Sequence, residues 1–160
     1  MISLRLDDTS IASMHGLAMT YDNLEKWKNS DDLYVKLISL NENDAQAYNN
    51  YAYSLVERGE EIDYALTLAE KAIEISPNTS AYLDTIGWIH YKLGNYSIAK
   101  DFIAKAILID ESSAVILEHY GDILIKLEDV NEALIFYNKA LLIEPDNKTL
   151  ISKIEKYENQ

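Results

Sequence analysis

One hundred and sixty residues, 48% of them apolar, suffice for one compact domain or one short repeat array and exclude a disordered acidic chain. A net charge of −13 excludes recognition of nucleic acid through its phosphates and docking on an anionic membrane surface, and favours at most a neutral or basic partner. The absence of cysteine removes disulfides, thiolate nucleophiles and thiolate metal sites, and leaves oxidising and reducing compartments equally open.

Taken in chain order, MISLRLDDTS carries one Arg and no apolar run, so it reads as neither a signal peptide nor a membrane span. From Ile11 the sequence repeats itself. The segments are 11–44, 45–79, 80–113 and 114–147, each of 34 residues except the second, which has 35 and carries its extra residue in the turn around Glu60–Ile62. Each holds two runs with apolar residues three and four apart, the signature of two amphipathic helices. In the third segment these runs meet at Leu93-Gly94-Asn95. The eighth position reads Ala18, Ala52, Gly87, Gly121 and the twentieth Ser30, Ala65, Ala99, Ala133. Helices cross closely only where Cβ atoms are small or absent, so these columns mark helix–helix contacts. Position 26 repeats as Lys36, Lys71, Lys105 and Lys139. Residues 148–160 begin a fifth first helix, with Ile151 and Ile154 on its apolar side. Glu155 stands where a close-packing partner would need Gly or Ala, which predicts a capping helix. At the other end Leu4, Leu6 and Asp7 match the end of an earlier repeat, so 1–10 reads as the remnant of one and the chain as an array cut from a longer one.

These columns resemble the tetratricopeptide repeat (TPR) family over about 11–147. Besides the small residues, the chain carries Met14, Tyr48, Leu83 and Leu117 at the bulky fourth position, Tyr34 and Tyr137 at the aromatic twenty-fourth, and Pro77 and Pro145 at the helix-stopping thirty-second. Glu42 and Glu111 replace that proline, Leu37 replaces a small residue, and Glu25 and Glu128 stand where Gly59 and Gly94 occupy the turn, which predicts two less favourable turns. The stretches Asn50–Leu55 and Ala81–Thr85 look like the C-terminal arrays of large bacterial tetratricopeptide proteins, many of which are exported or lipid-anchored. The resemblance implies an all-α, right-handed α–α superhelix of four helical hairpins plus a C-terminal capping helix. It implies a soluble chain, cytoplasmic as it stands and periplasmic or envelope-associated if a longer native chain carries an export signal.

Catalysis finds no support in the residues. His15, His90 and His119 lie in different repeats with no paired ligand spacing, so no metal site is expected. There is no Gly-x-Ser-x-Gly and no phosphate-cradling Gly-rich loop, so neither a catalytic residue nor a cofactor is expected. The family resemblance places the first helices on a concave groove. Its binding residues would be His15 and Met19, then Asn49, Asn50 and Tyr53, then Asp84, Trp88, Tyr91 and Lys92, and finally Glu118, His119 and Asp122. Asp22, Asn23, Glu57, Thr85 and Lys126 would lie beside them. Tyr53, Trp88 and Tyr91 are the expected anchors, partly exposed aromatics with a polar handle. On that expectation Trp88→Ala with Tyr53→Ala abolishes partner capture and leaves melting intact; the competing reading has Trp88 and Tyr91 packed between neighbouring helices. A clamp for a terminal carboxylate would need cations where the chain has His15, Ala81 and Thr85, and only Asn50 fits it.

The expected function is therefore a non-catalytic scaffold that binds a peptide or partner helix of another protein, neutral to basic, with no nucleic acid and no membrane insertion. The alternatives are a homo-oligomer formed through an apolar N-terminal edge at Met1–Leu6 and Met14, or the regulatory or scaffolding tail of a larger protein.

Overall fold

A computed structural model of the chain describes residues 8–158; residues 1–7 of the proposed N-terminal remnant, and with them the Met1–Leu6 edge, lie outside them, while Asp8–Ser10 open the first helix. Between turns the described residues are helical: α1 Asp8–Asn23, α2 Trp27–Leu40, α3 Ala45–Arg58, α4 Ile62–Ile75, α5 Ser80–Lys92, α6 Tyr96–Ile109, α7 Ala114–Lys126, α8 Val130–Ile143 and α9 Lys148–Glu158. The chain divides after Ile75 into two compact units. In the first, α1 packs on α2, α3 on α4, and α2 on α3. In the second, α5 packs on α6, α7 on α8, α6 on α7, and α9 closes against α8.

Local chemistry sets the helix ends. The Asp44 carboxylate accepts the Ala47 N–H, Ser113 the Ile116 N–H, Asp129 the Glu132 N–H, and Asn147 the N–H groups of Thr149 and Leu150. The turns α1–α2, α3–α4, α5–α6 and α7–α8 share one device. One residue turns left-handed, and the next donates its N–H to the carbonyl five residues back: Lys26 to Tyr21, Glu60 to Leu55, Asn95 to His90 and Asp129 to Leu124, at 2.9–3.0 Å. Gly59 and Gly94 take that conformation at φ 71° and 79°, but Glu25 and Glu128 take it at 54° and 63°, with a Cβ crowding the backbone. The extra residue of the second segment is absorbed by Glu61, also left-handed at φ 43°, just ahead of α4. Glu25→Gly and Glu128→Gly are each expected to raise stability by about 1 kcal/mol, and Gly94→Ala to lower it by a similar amount, as shifts in the urea midpoint.

The small-residue columns sit where the helices touch. A Cβ built on Gly87 would meet Ile103 Cδ1 at 2.7 Å and the Ala99 carbonyl oxygen at 3.3 Å, so α5 and α6 are in near-backbone contact. Gly121 faces the Tyr137 ring in the same way. Ala18, Ser30, Ala52, Ala65, Ala99 and Ala133 are wholly buried. Around them the first unit packs Tyr34, Leu37, Leu55 and Val56, and the second Ile86, Ile89, Ile103, Ile123, Leu124 and Tyr137. Along α9, Leu150 and Ile154 are buried while Ile151 is exposed. The cap thus turns its face one residue away from the register expected from Ile151.

Candidate binding faces on the first helices

In the second unit, Asp84, Trp88, Tyr91 and Lys92 fall at helical spacing along α5 and meet Glu118, His119 and Asp122 of α7. The Trp88 indole stacks on Tyr91, with centroids 4.5 Å apart and planes 4° off parallel, and on the His119 ring at 4.0 Å and 10°. The Lys92 ammonium lies 4.7 Å from the indole centre. His119 donates from Nδ1 to Asp84 Oδ1 at 2.9 Å, which holds the imidazole flat against the indole. Trp88 is therefore not the partly exposed anchor expected above: it is only 8% exposed, because α5 supplies one stacking ring and α7 the other. Tyr91 is half-buried and Lys92 exposed. Burial and the nearby Asp122 charge push the Tyr91 phenol up to about 12.

The carboxylates of this face are already partnered. The Lys153 ammonium of α9 donates to Glu118 at 2.6 Å and to Asp122 at 2.7 Å, and Asp122 also accepts the Tyr137 hydroxyl at 2.7 Å. The expected binding residues include Glu118 and Asp122 and leave Lys153 out. The spacing did hold a clue: Glu118 and Asp122 stand four apart on one helical face, and Lys153 lies between Leu150 and Ile154 on the buried side of α9, where a cation needs a partner. Burial pulls the Lys153 pKa down, but the hydrogen bonds to Asp122 and Glu118 outweigh it and the net direction is up. A raised ammonium pKa stabilises the folded chain at every pH below the ordinary value of 10.5, and that contribution drains away as pH climbs past it. The buried, Asp-bonded phenols Tyr34 and Tyr137, also raised, act in the same direction. The urea midpoint is expected to hold from neutral pH to about 10 and fall above it, with a smaller fall in Lys153→Gln. An equal fall in that variant removes Lys153 from the account.

In the first unit, His15 donates from Nε2 to Asp44 at 2.9 Å and is buried. Asp22 accepts the Tyr34 hydroxyl at 2.7 Å and the Ser54 hydroxyl at 2.8 Å, bracing α1 to α2 and α3. Asn49 is buried and donates to Asn50 at 3.3 Å. That leaves Met19 and Tyr53 at the surface, 50% and 38% exposed, with Asn50 half-buried. The clamp positions are likewise engaged: His15 by Asp44, and the Thr85 hydroxyl by the Ala81 carbonyl. Among the described residues no group of three or more His, Asp or Glu is placed to hold a metal ion, and no helix is long and apolar enough to cross a membrane.

Successive helix pairs with small residues at each crossing and one shared turn geometry define an all-α helical-repeat protein of the α–α superhelix class. Residues 58–140, just over half of the chain, match the family model described as anaphase-promoting complex, cyclosome, subunit 3, and the chain belongs to this family of tetratricopeptide-repeat proteins. No curated protein matches it in sequence. Among solved structures it is similar to a thermophilic TPR protein of Thermus thermophilus, at a TM-score of 0.83 and 17% identity over 98% of this chain and 86% of that one. It is also similar to MamA, at 0.73 and 13% over 89% and 82%. A third similar structure is the first TPR domain of Spaghetti (RPAP3) bound to an HSP90 peptide, at 0.67 and 17% over 72% and 93%.

Proposed function

We propose that the chain is a non-catalytic protein-interaction scaffold, and that it takes a peptide or partner helix of another protein on the exposed faces of its first helices. The observation that carries this reading is the Tyr91–Trp88–His119 stack. It is a rigid aromatic wall, fixed at its far end by Asp84, whose near edge offers the half-buried Tyr91 and the exposed Lys92. A surface already ordered before contact spends little entropy on binding. Met19, Asn50 and Tyr53 supply a surface of their own in the first unit, and Asn50 suits an extended backbone. The RPAP3 domain noted above is bound to the peptide SRMEEVD, which is acidic. This chain lacks the clamp cations, and Lys153 of α9 is spent on Glu118 and Asp122, so a neutral to basic ligand fits it better. The repeat boundaries 11–44, 45–79, 80–113 and 114–147 belong to the same reading.

Panning a displayed peptide library against the whole chain tests it. Enriched peptides should be neutral to basic and should lose about tenfold or more in affinity to Tyr53→Ala/Tyr91→Ala. Enriched peptides that bind the double variant as well as the parent would sink the proposed face.

A further inference from the structure

The chain builds one kind of groove twice on its second helices, and the two copies differ in a telling way. In the first unit the lining includes Ile38 of α2, Tyr48 of α3, and Lys71 and Glu74 of α4, with Glu42 just past α2. In the second it includes Ile107 of α6, Leu117 of α7, and Lys139 and Leu142 of α8, with Glu111 just past α6, around about 290 Å³. These residues correspond by register: Lys71 and Lys139 are the tenth residues of 14-residue helices, and Glu74 and Leu142 the penultimate ones. In the first copy Lys71 is neutralised within its own helix by Glu74 at 2.9 Å. In the second copy leucine replaces that glutamate. Among the described residues Lys139 then has no carboxylate partner and rests over the Phe136 ring at 4.8 Å.

The penultimate residues of α2, α4, α6 and α8 are Ser39, Glu74, Leu108 and Leu142, so the fold itself does not require an apolar side chain there. Yet Leu108 is 86% and Leu142 83% exposed, the highest values of any large hydrophobic residue among the described residues, and Ile109 and Ile143 beside them are about half exposed. Leu142 and Ile143 line the groove, and Leu108 and Ile109 end α6, whose Ile107 lines the same groove; apolar side chains exposed in this way mark a contact.

We propose that this groove is a self-association surface, and that its occupant is a second copy of the chain. A two-fold contact needs a patch that is its own complement. Here the rim holds one carboxylate, Glu111, and one ammonium, Lys139, so a two-fold arrangement sets each against the opposite charge on the other copy while the leucines are buried between them. In a chain of net charge −13 a basic partner would be drawn to the acidic surfaces, whereas this rim is balanced.

Sedimentation equilibrium of the whole chain tests the proposal. The parent should show a concentration-dependent dimer. Leu108→Ser with Leu142→Glu, which copies the residues the first unit carries at those places, should weaken it about tenfold or more with helicity unchanged. Glu111→Lys and Lys139→Glu should each weaken it, and their combination should restore it. A parent that stays monomeric at every concentration, or a dimer indifferent to the leucine pair, overturns the proposal; the latter would direct attention to the N-terminal edge. A charge-swapped double variant no better than the single ones overturns the two-fold pairing.

Discussion

Trp88→Ala will lower the free energy of unfolding by about 3 kcal/mol, the low end of the cost for emptying a buried aromatic site. The indole stacks on both Tyr91 and His119, with the Lys92 ammonium over the ring, and little of the residue reaches solvent. Truncation removes those contacts and admits water beside the Asp84–His119 hydrogen bond, which then competes with bulk hydration. An anchor standing free in a groove would behave otherwise, losing partner binding and leaving the urea midpoint untouched. Unfolding of the variant, followed by circular dichroism, separates the two: an unchanged midpoint would mean that the stack does not bear on the fold. Trp88→Phe keeps a ring between Tyr91 and His119 and should recover most of the loss. In a binding assay Trp88→Ala therefore confounds folding with recognition, and Tyr91→Ala is the cleaner probe of the face.

The same ring shows where sequence reasoning stops. The all-α helical-repeat class, the small columns at the crossings and the turns at Glu25 and Glu128 were legible because each depends on residues close in the chain or on a volume limit at a fixed helical position. The burial of Trp88 was not, since it requires the His119 imidazole to arrive from another helix and Asp84 to hold it flat. Lys153 is a similar case. Its helix was recognisable as a cap, but pairing with Glu118 and Asp122 depends on which side α9 turns inward, and that side is chosen by Leu150 and Ile154 rather than by Ile151. Candidate residues named from helical position thus divided by tertiary context. His15, Asn49, Asp84, Trp88 and His119 went into the structure, while Met19, Tyr53 and Lys92 stayed on the surface.

One substitution, glycine to alanine, should change stability in opposite directions at two helical sites. In α1, a Cβ added to the exposed Gly16 meets nothing within 4 Å, so the only change is the removal of glycine's backbone freedom in a helix. Gly16→Ala should raise stability by about 0.5–1 kcal/mol. In α7 the Cβ of Gly121→Ala would enter the ring of Tyr137, which is buried and tied by its hydroxyl to Asp122, itself held by Lys153. The ring cannot swing away without breaking that chain of bonds, so α7 and α8 must separate instead. Overpacking of this kind outweighs the propensity gain, and a net loss of about 1–3 kcal/mol is expected, approaching the upper figure for Gly121→Val. Urea unfolding of the two alanine variants decides the matter. A Gly121→Ala protein as stable as the parent would mean that α7 and α8 are not in the close contact described. The way to locate the strain is a second substitution: Tyr137→Leu withdraws the ring, so Gly121→Ala should cost less in that background than in the parent, and the difference measures the coupling between the two positions.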